Sequence, residues 1–409
     1  MWRSSSKLLL PNATLVRRRP SLDFSLTGLV YCSMMMFMGL AAINSQANLL
    51  FGVFGLMIGI LLISGVVSRL VLRKLRVSRV LPKHGVAGEP ITLYYEITNG
   101  KRFWPSLSIS LAELDGVEGF TAQPQAYMLH AAPGMTATVP AELIPKRRGV
   151  HVFDQFQIAT SFPFGFIKRA LMARRKDAIC IFPALGHVDA RVLEMCRSAD
   201  NAGESVRPRP GGMDEFFGLK EFRTGDNPRH IYWRRSARTG VLVAKEMTRV
   251  SPPRLLLAVD TQVSDGSIGQ QALVERTIAM AASLASEALA QELSVGICAW
   301  AGEPVLLPPT RGKQQREDML TLLSRLPVNT DFGAPGLLEA CHELARSDTT
   351  LVVLTPRDFE VGVTDRKRSS IVVLSPAMEQ TRSWFHFRPE VNFETCMPVT
   401  PTTKMRRRS

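Results

Sequence analysis

The residues best suited to binding chemistry lie in the segment 212–247, where cationic and aromatic side chains are interspersed. Between Lys220 and Arg249 there are eight Lys and Arg residues and only three acidic residues, with Phe222 and Trp233 among them. Arginine binds carboxylates and phosphates through two parallel hydrogen bonds, and tryptophan is a frequent anchor of protein interfaces. This pattern favours recognition of an acidic or phosphate-bearing partner.

The middle of this segment carries helix start and stop signals. Asp226 or Asn227 can cap a helix, and Pro228 suits the first helical position. The spacing predicts one short helix over Arg229–Arg238, with Gly240 as its stop. We therefore expect the arginines and the tryptophan to be carried by a single helix.

The sequence lacks the common motifs of nucleotide-binding and hydrolytic sites. It contains no G-x-x-x-x-G-K-[ST], no H-E-x-x-H and no G-x-S-x-G. The six cysteines lie far apart without any C-x-x-C, which argues against zinc ribbons and disulfide scaffolds. We predict no catalytic residue, no cofactor and a protein that is not an enzyme.

The N-terminal part has the composition of a membrane anchor. No Asp, Glu, Lys or Arg occurs from Phe24 to Ser68, and a polar break lies at 44–48. The run predicts two spans, Leu26–Ile43 and Leu49–Val67, because one span needs about 20 residues. A cleaved signal peptide, with a cleavage-like Ser45–Ala47, and a buried soluble hairpin are the alternatives.

Basic residues flank this pair of spans, and the turn between them is uncharged. The positive-inside rule then places both flanks in the cytoplasm, so the soluble region is predicted to be cytoplasmic. The lipid bilayer is the expected partner of this segment. Six glycines in the run suit close helix packing: Gly28, Gly39, Gly52, Gly55, Gly59 and Gly65.

Two kinds of periodicity divide the soluble region. Alternating apolar residues predict antiparallel strands near 91–98, 106–111 and 150–158, the last with Val150, Val152, Phe156 and Ile158 on one face. From residue 251 onward, continuous apolar strands alternate with helices, which indicates a doubly wound parallel sheet.

The predicted fold is a multidomain α+β chain, with a transmembrane hairpin, a β-sandwich and an α/β domain. The predicted segments are a basic N-terminus (1–25), the hairpin (26–68), the β-sandwich (76–185), a connecting segment (186–250), the α/β domain (251–380) and a basic tail (381–409).

The segment 212–247 closely resembles the signature of the bacterial family called domain of unknown function 58. The matching residues keep fixed spacing over more than thirty positions: Asp214, Glu215, Phe216, Glu221, Gly225, Asp226, Arg229, Ile231, Trp233, Ala237, Arg238, Lys245 and Glu246. Arg147–Gly149 and Pro163–Gly165 also look like family features.

The resemblance implies a von Willebrand factor A-like C-terminal domain and a genetic association with MoxR-type AAA+ ATPases and other membrane proteins of the same operon. Three roles for the signature, which also includes Arg223, stay open. Its residues could hold two domains together, dock an acidic or nucleotide-loaded partner, or serve an unknown catalytic step.

A von Willebrand A-type metal site would begin Asp-x-Ser-x-Ser after the first strand of the α/β domain. Here Asp260 and Ser264 match, but Gln262 replaces the first serine, and Pro356 stands where an aspartate is expected. Because Mg²⁺ needs nearly octahedral oxygen ligands, we expect this degenerate site to bind no metal.

Together these features predict a non-enzymatic, membrane-anchored adaptor that acts with a MoxR-type AAA+ ATPase in assembly or maturation of a protein complex. The alternative is a ligand- or metal-binding sensor, or a hydrolase that uses the Asp260 region. Nucleic acid is not an expected partner, because no recognisable nucleic-acid module accompanies the net charge of +14.

Overall fold

The computed structural model describes residues 21–202, 210–223, 228–248, 254–264, 266–300, 304–328, 337, 339, 341, 349–357, 371–389 and 391–394. These residues fall into two compact units. Unit 1 extends to Ala184 and includes the residues from Pro389 onward, and unit 2 is Leu185–Arg388. Unit 2 thus contains both the predicted connecting segment and the predicted α/β region.

The chain is a mixed α/β protein. The helices are α1 (Leu26–Ser45), α2 (Asn48–Leu72), α3 (Ala190–Ala202), α4 (Trp233–Thr239), α5 (Ile268–Ala290), α6 (Lys313–Arg325) and α7 (Glu379–Ser383). The strands of unit 1 are β1 (Ser21–Phe24), β2 (Leu75–Val80), β3 (His84–Val86), β4 (Ile91–Asn99), β5 (Ser106–Glu113), β6 (Gln125–Ala131), β7 (Thr136–Leu143), β8 (Gly149–Thr160) and β9 (Ile167–Phe182). Those of unit 2 are β10 (His187–Val188), β11 (Pro210–Glu221), β12 (Val243–Thr248), β13 (Arg254–Val259), β14 (Ser294–Trp300), β15 (Pro304–Thr310), β16 (Thr349–Leu354), β17 (Ile371–Leu374) and β18 (Phe385–His386).

Helices α1 and α2 are long and apolar enough to cross a membrane. Of their large apolar side chains, only Val71 and Leu72 are buried, and Leu26 and Leu49 are among the many exposed ones, unlike those of a buried soluble hairpin. Gly39 lies against the ring of Phe54, so a larger residue would collide there. The prediction that glycines generally serve helix packing fails at Gly52, Gly55 and Gly59, where a Cβ would find no neighbouring atom within 4 Å.

Two sheets build the core of unit 1. One has the order β1-β9-β8-β5-β6, with β3 beside β9, and the other has the order β2-β4-β7. Their facing side chains meet at Glu113 of β5, which accepts hydrogen bonds from Arg79 of β2 and Tyr95 of β4, both at 2.6 Å. The strands predicted near 91–98, 106–111 and 150–158 are confirmed, while the sandwich class stays a prediction.

The face predicted for β8 is wrong in its first half. Val150 and Val152 are exposed, whereas His151 and Phe153 are buried. A register shift between Phe153 and Gln155 explains the difference, because one extra residue in a strand reverses which side chains face the core. After the bulge, Phe156 and Ile158 are buried as predicted.

Unit 2 is centred on a five-stranded sheet with the order β15-β14-β13-β16-β17. The pairs β13–β14, β13–β16 and β16–β17 are parallel. Buried β13 lies in the middle of this sheet, as its continuous apolar sequence predicts. The proline-rich edge strand β15 pairs antiparallel with β14 and was not predicted. The sequence also favours a helix near 335–346; this range lies largely outside the described residues, but its described positions 337, 339 and 341 are helical.

Candidate functional site

The signature segment forms a two-stranded antiparallel ribbon with a helical connection, not a mere linker. Strand β11 pairs with β12, and the register places Glu221 opposite Val243 and Leu219 opposite Lys245. Two irregularities interrupt this pairing near Glu215 and Phe216. The ribbon brings the two ends of the signature together, so that the connection between them is presented at one end of the pair.

The single helix predicted over Arg229–Arg238 is wrong. A short 3-10 helix covers Pro228–His230, and α4 begins only at Trp233. Between them, Ile231 forms an antiparallel bridge with Ala244 of β12. The peptide groups that join this bridge are therefore unavailable for a continuous helix.

The predicted stop of this helix is confirmed. Gly240 adopts the left-handed conformation, with φ of 73°, and its N–H donates to the carbonyl of Ser236 at 3.0 Å. A glycine reaches this conformation without the steric cost that a side chain brings.

Ser236 fastens α4 to the ribbon. Its buried hydroxyl accepts a hydrogen bond from the N–H of Val243 at 2.9 Å and donates to the carbonyl of Tyr232 at 3.1 Å. The N–H of Tyr232 in turn donates to the carbonyl of Val243 at 2.8 Å. The helix is thus tied to β12 from both sides, which fixes the direction of its outer face.

The outer face of α4 carries one aromatic and three cationic side chains. Trp233 is 66% exposed, and Arg234, Arg235 and Arg238 are exposed as well. Arg234 and Arg238 are four residues apart and therefore adjacent on the helix surface. We call these four residues the α4 surface.

Other predicted signature residues lie near this surface. Glu221, Arg223, Arg229 and Lys245 are exposed, and Ile231 is half-buried at its bridge. Asp214, Glu215 and Phe216 belong to β11, farther along the ribbon. Gly225 and Asp226, the proposed cap among them, lie outside the described residues.

Lys245 and Tyr232 form a cation–π pair. The ammonium nitrogen lies 5.1 Å from the centre of the tyrosine ring, within the range in which such contacts are attractive. The tyrosine ring therefore helps to hold the Lys245 side chain in place.

Sequence reasoning missed three residues of this region. Ser236 was not singled out, although its position one turn before the glycine stop was a usable signal. Val241 and Leu242 are exposed apolar residues directly after α4. They extend the apolar character of the α4 region beyond Trp233.

A second predicted site lies at the carboxyl edge of the parallel sheet. Asp260 follows β13 and Thr355 follows β16, and the Asp260 N–H donates to the carbonyl of Leu354 at 2.8 Å. The Asp260 carboxylate accepts hydrogen bonds from the Gln262 N–H at 3.0 Å and the Thr355 hydroxyl at 2.9 Å.

These residues do not fit a divalent cation. The guanidinium of Arg357 lies 3.4 Å from Asp260 Oδ2 and donates to Gln262 Oε1 at 2.7 Å. A positive charge of the protein itself therefore neutralises the carboxylate that a metal would need. Ser264, the other predicted ligand, is exposed. The described residues contain no group of three His, Cys, Asp or Glu side chains able to hold a metal.

A comparison with family models matches residues 218–378 to the family described as protein of unknown function DUF58. This match confirms the family that the signature predicted. It begins after Asp214, Glu215 and Phe216 and includes the α4 surface and Asp260. A comparison with curated proteins gives no match.

Proposed function

We propose that this chain, whose residues 218–378 belong to the DUF58 family, is a non-enzymatic membrane-anchored adaptor. It would act with a MoxR-type AAA+ ATPase in the assembly or maturation of a protein complex. Its α/β unit would be of the von Willebrand factor A type, and α1 and α2 would anchor it in a bacterial inner membrane.

The α4 surface is the observation that carries this proposal. Exposing a tryptophan to water is unfavourable unless a partner covers it, and interface anchors are enriched in tryptophan and arginine. The neighbouring arginines would attract carboxylates or phosphates, which increases both the rate and the specificity of association. A rigid tie through Ser236 would keep this surface ready for binding.

The region around Asp260 supports an adaptor better than a hydrolase. A general base needs a carboxylate that is free to take a proton from a substrate or water. Both oxygens of Asp260 instead accept hydrogen bonds within the protein, and one lies beside Arg357.

Purification of the full chain after crosslinking in cells tests the docking role. Arg234→Glu/Arg238→Glu reverses two charges of the α4 surface. Arg174→Glu/Lys176→Glu, on exposed positions of β9, is the matched control. We expect the ATPase to copurify with the wild type and the control but not with the α4 variant. Equal recovery with all three would mean that this surface is not the docking site.

Site-directed labelling tests the orientation. A cysteine introduced at Ser45, at the end of α1, should react with an impermeant reagent added outside the cell. A cysteine at exposed Glu292 of unit 2 should react only after the membrane is opened. Labelling of Glu292→Cys in intact cells would contradict a cytoplasmic unit 2.

A further inference from the structure

The sheets of unit 1 are joined to α1 and α2 without a linker. Strand β1 pairs with residues 167–170 of β9, and only Ser25 separates β1 from α1. At the other end, two residues separate α2 from β2. If α1 and α2 cross a membrane, the edge of unit 1 next to them must therefore lie at the membrane surface.

An aromatic turn of unit 1 runs alongside the start of α1. The Ser25 N–H donates to the carbonyl of Phe166 at 3.1 Å, and the ring of Tyr31 stacks on that of Phe166 at 4.1 Å. Tyr31 lies about 7.5 Å along the helix from Leu26, at about 1.5 Å per residue. Phe164 stacks on Phe166 and is 49% exposed. This turn therefore reaches the depth at which the span begins.

A second aromatic loop lies beside the end of α2. The ammonium of Lys101 donates to the carbonyls of Leu70 and Val71, at 3.1 and 2.6 Å. The loop is held on its other side by Asn99, whose side-chain amide donates to the carbonyl of Trp104 at 3.0 Å. Trp104 is 57% exposed, and neighbouring Phe103 is 78% exposed.

Cationic side chains surround both loops. The exposed ones are Arg69, Arg73, Lys74, Arg102 and Lys168. Burial, and then the nearby charge of Arg69, lower the pKa of Arg169. The buried Nε of Arg169 has no hydrogen-bond partner among the described residues. The register of the β1–β9 pair places an acidic residue, Asp23, opposite Lys168. The excess of positive charge favours an anion.

We propose that Phe103, Trp104 and Phe164 insert into the headgroup layer of the bilayer that α1 and α2 cross, and that Arg69, Arg102 and Lys168 bind anionic lipid headgroups there. Aromatic side chains are enriched at this depth of membranes, and basic side chains at the cytoplasmic surface are attracted by anionic lipid. The inference rests on the proposed membrane anchoring and is independent of docking at α4. We call these six residues the lipid-facing surface.

Tryptophan fluorescence of the full chain in nanodiscs tests the insertion. The chain has five tryptophans, and brominated phosphatidylcholine quenches those that contact lipid. We expect Trp104→Phe to remove a quenched part of the emission, whereas Trp384→Phe in unit 2 should not. An unchanged quenched fraction in Trp104→Phe would overturn the proposal.

The lipid dependence of the melting temperature tests whether the cationic side chains bind anionic lipid. Nanodiscs of phosphatidylcholine alone are compared with an equal mixture of phosphatidylcholine and phosphatidylglycerol. We expect the mixture to raise the melting temperature of the wild type, and salt to weaken this rise. Arg102→Gln/Lys168→Gln should lose most of the rise, and the control Arg174→Gln should keep it. An equal rise in the two variants would contradict the anionic-lipid site.

Alkaline extraction of cell membranes separates this proposal from the one on which it rests. Release of the full chain into the aqueous fraction would refute membrane anchoring and the lipid-facing surface together. Retention in the membrane without quenching of Trp104 would refute the lipid-facing surface alone.

Discussion

Arg79 organises the polar core of unit 1. Its guanidinium bonds to Glu113 at 2.6 Å, to Asp177 at 3.1 Å and to the carbonyl of Phe153 at 3.2 Å. The rings of Phe153 and Phe156 lie within 5.4 Å of it. Because the Arg79 and Glu113 side chains are both inaccessible to water, neither charge has solvent as a substitute partner.

Removing Glu113 should therefore be costly. We expect Glu113→Ala to lower the free energy of opening of β4 and β5 by about 3–5 kcal/mol, the usual cost of breaking a buried ion pair. Hydrogen exchange of the amides in these strands measures it. The matched control is Glu96→Ala, which removes an exposed carboxylate of β4 and should leave the exchange unchanged. Similar exchange in both variants would contradict a structural role for the pair.

His151 should make unit 1 sensitive to acid. Burial lowers the pKa of His151, whereas the unfolded chain binds a proton at about pH 6.5. The stability contributed by neutral His151 is therefore complete above about pH 6.5 and is lost as the pH falls through the lower folded pKa. We expect acidification from about pH 7.5 to about pH 5.5 to lower the melting temperature more in wild type than in His151→Gln. An equal decrease would show that another group is responsible.

Arg357 should keep the Asp260 region free of metal. Calorimetric titration of the full chain with Mg²⁺ or Mn²⁺ should give no heat of binding in the micromolar range, because the guanidinium occupies the side of the carboxylate that a cation needs. Asp260→Asn serves as the reference without this carboxylate. Micromolar binding by wild type that disappears in Asp260→Asn would contradict this account.

The roles of single residues could be predicted from the sequence where the residue type alone suggests the role. Trp233 and Arg238 were singled out because exposed aromatic and guanidinium groups suit binding, and Gly240 because few other residues end a helix in this way. Ser236 and Arg357 were missed since their importance comes from partners that are distant in sequence. Arg357 is 97 residues from Asp260, and no local pattern indicates such a pair.

At the scale of elements, the Ser236 hydroxyl supplies one of the hydrogen bonds that connect α4 to β12. Ser236→Ala would leave the N–H of Val243 without the acceptor it has here. We expect a cost of about 1–3 kcal/mol, typical of a buried donor that loses its partner, and faster hydrogen exchange at Val243. Thr239→Ala, which removes an exposed hydroxyl of the same helix, is the control. Unchanged exchange at Val243 in Ser236→Ala would contradict the proposed tie.

Elements whose apolar residues recur with one regular period were predicted well. Elements in which a bulge or a bridge interrupts that period were not. Five apolar residues spaced three or four positions apart indicate α5 from the sequence, and all five are buried: Val274, Ile278, Ala281, Ala285 and Ala288. The β8 bulge reversed a face, and the bridge at Ile231 divided a predicted helix. The proline-rich sequence of β15 resembles a loop but is tolerated at the edge of a sheet. Interruptions of this kind are decided by pairing with other strands.

At the scale of the whole molecule, the sequence predicted the order of the main parts because each has a distinct composition. The uncharged run, the alternating strands and the continuous apolar strands occur in that order along the chain. The ribbon β11–β12 was not predicted, since its two strands are separated by the whole of α4 and carry many charged residues. The signature indicated the family, but only the structure shows that the signature segment forms a ribbon.

Photocrosslinking at position 233 in living cells tests the central claim, that the α4 surface docks a partner, most directly. A photoreactive benzoylphenylalanine replaces Trp233, and a second variant carries it at exposed Met172 of β9 as the control. We predict an adduct between position 233 and an AAA+ ATPase, identified by mass spectrometry, and no such adduct from position 172. Adducts from position 233 that join only segments of this chain would contradict the adaptor account and assign the signature to contact within the protein.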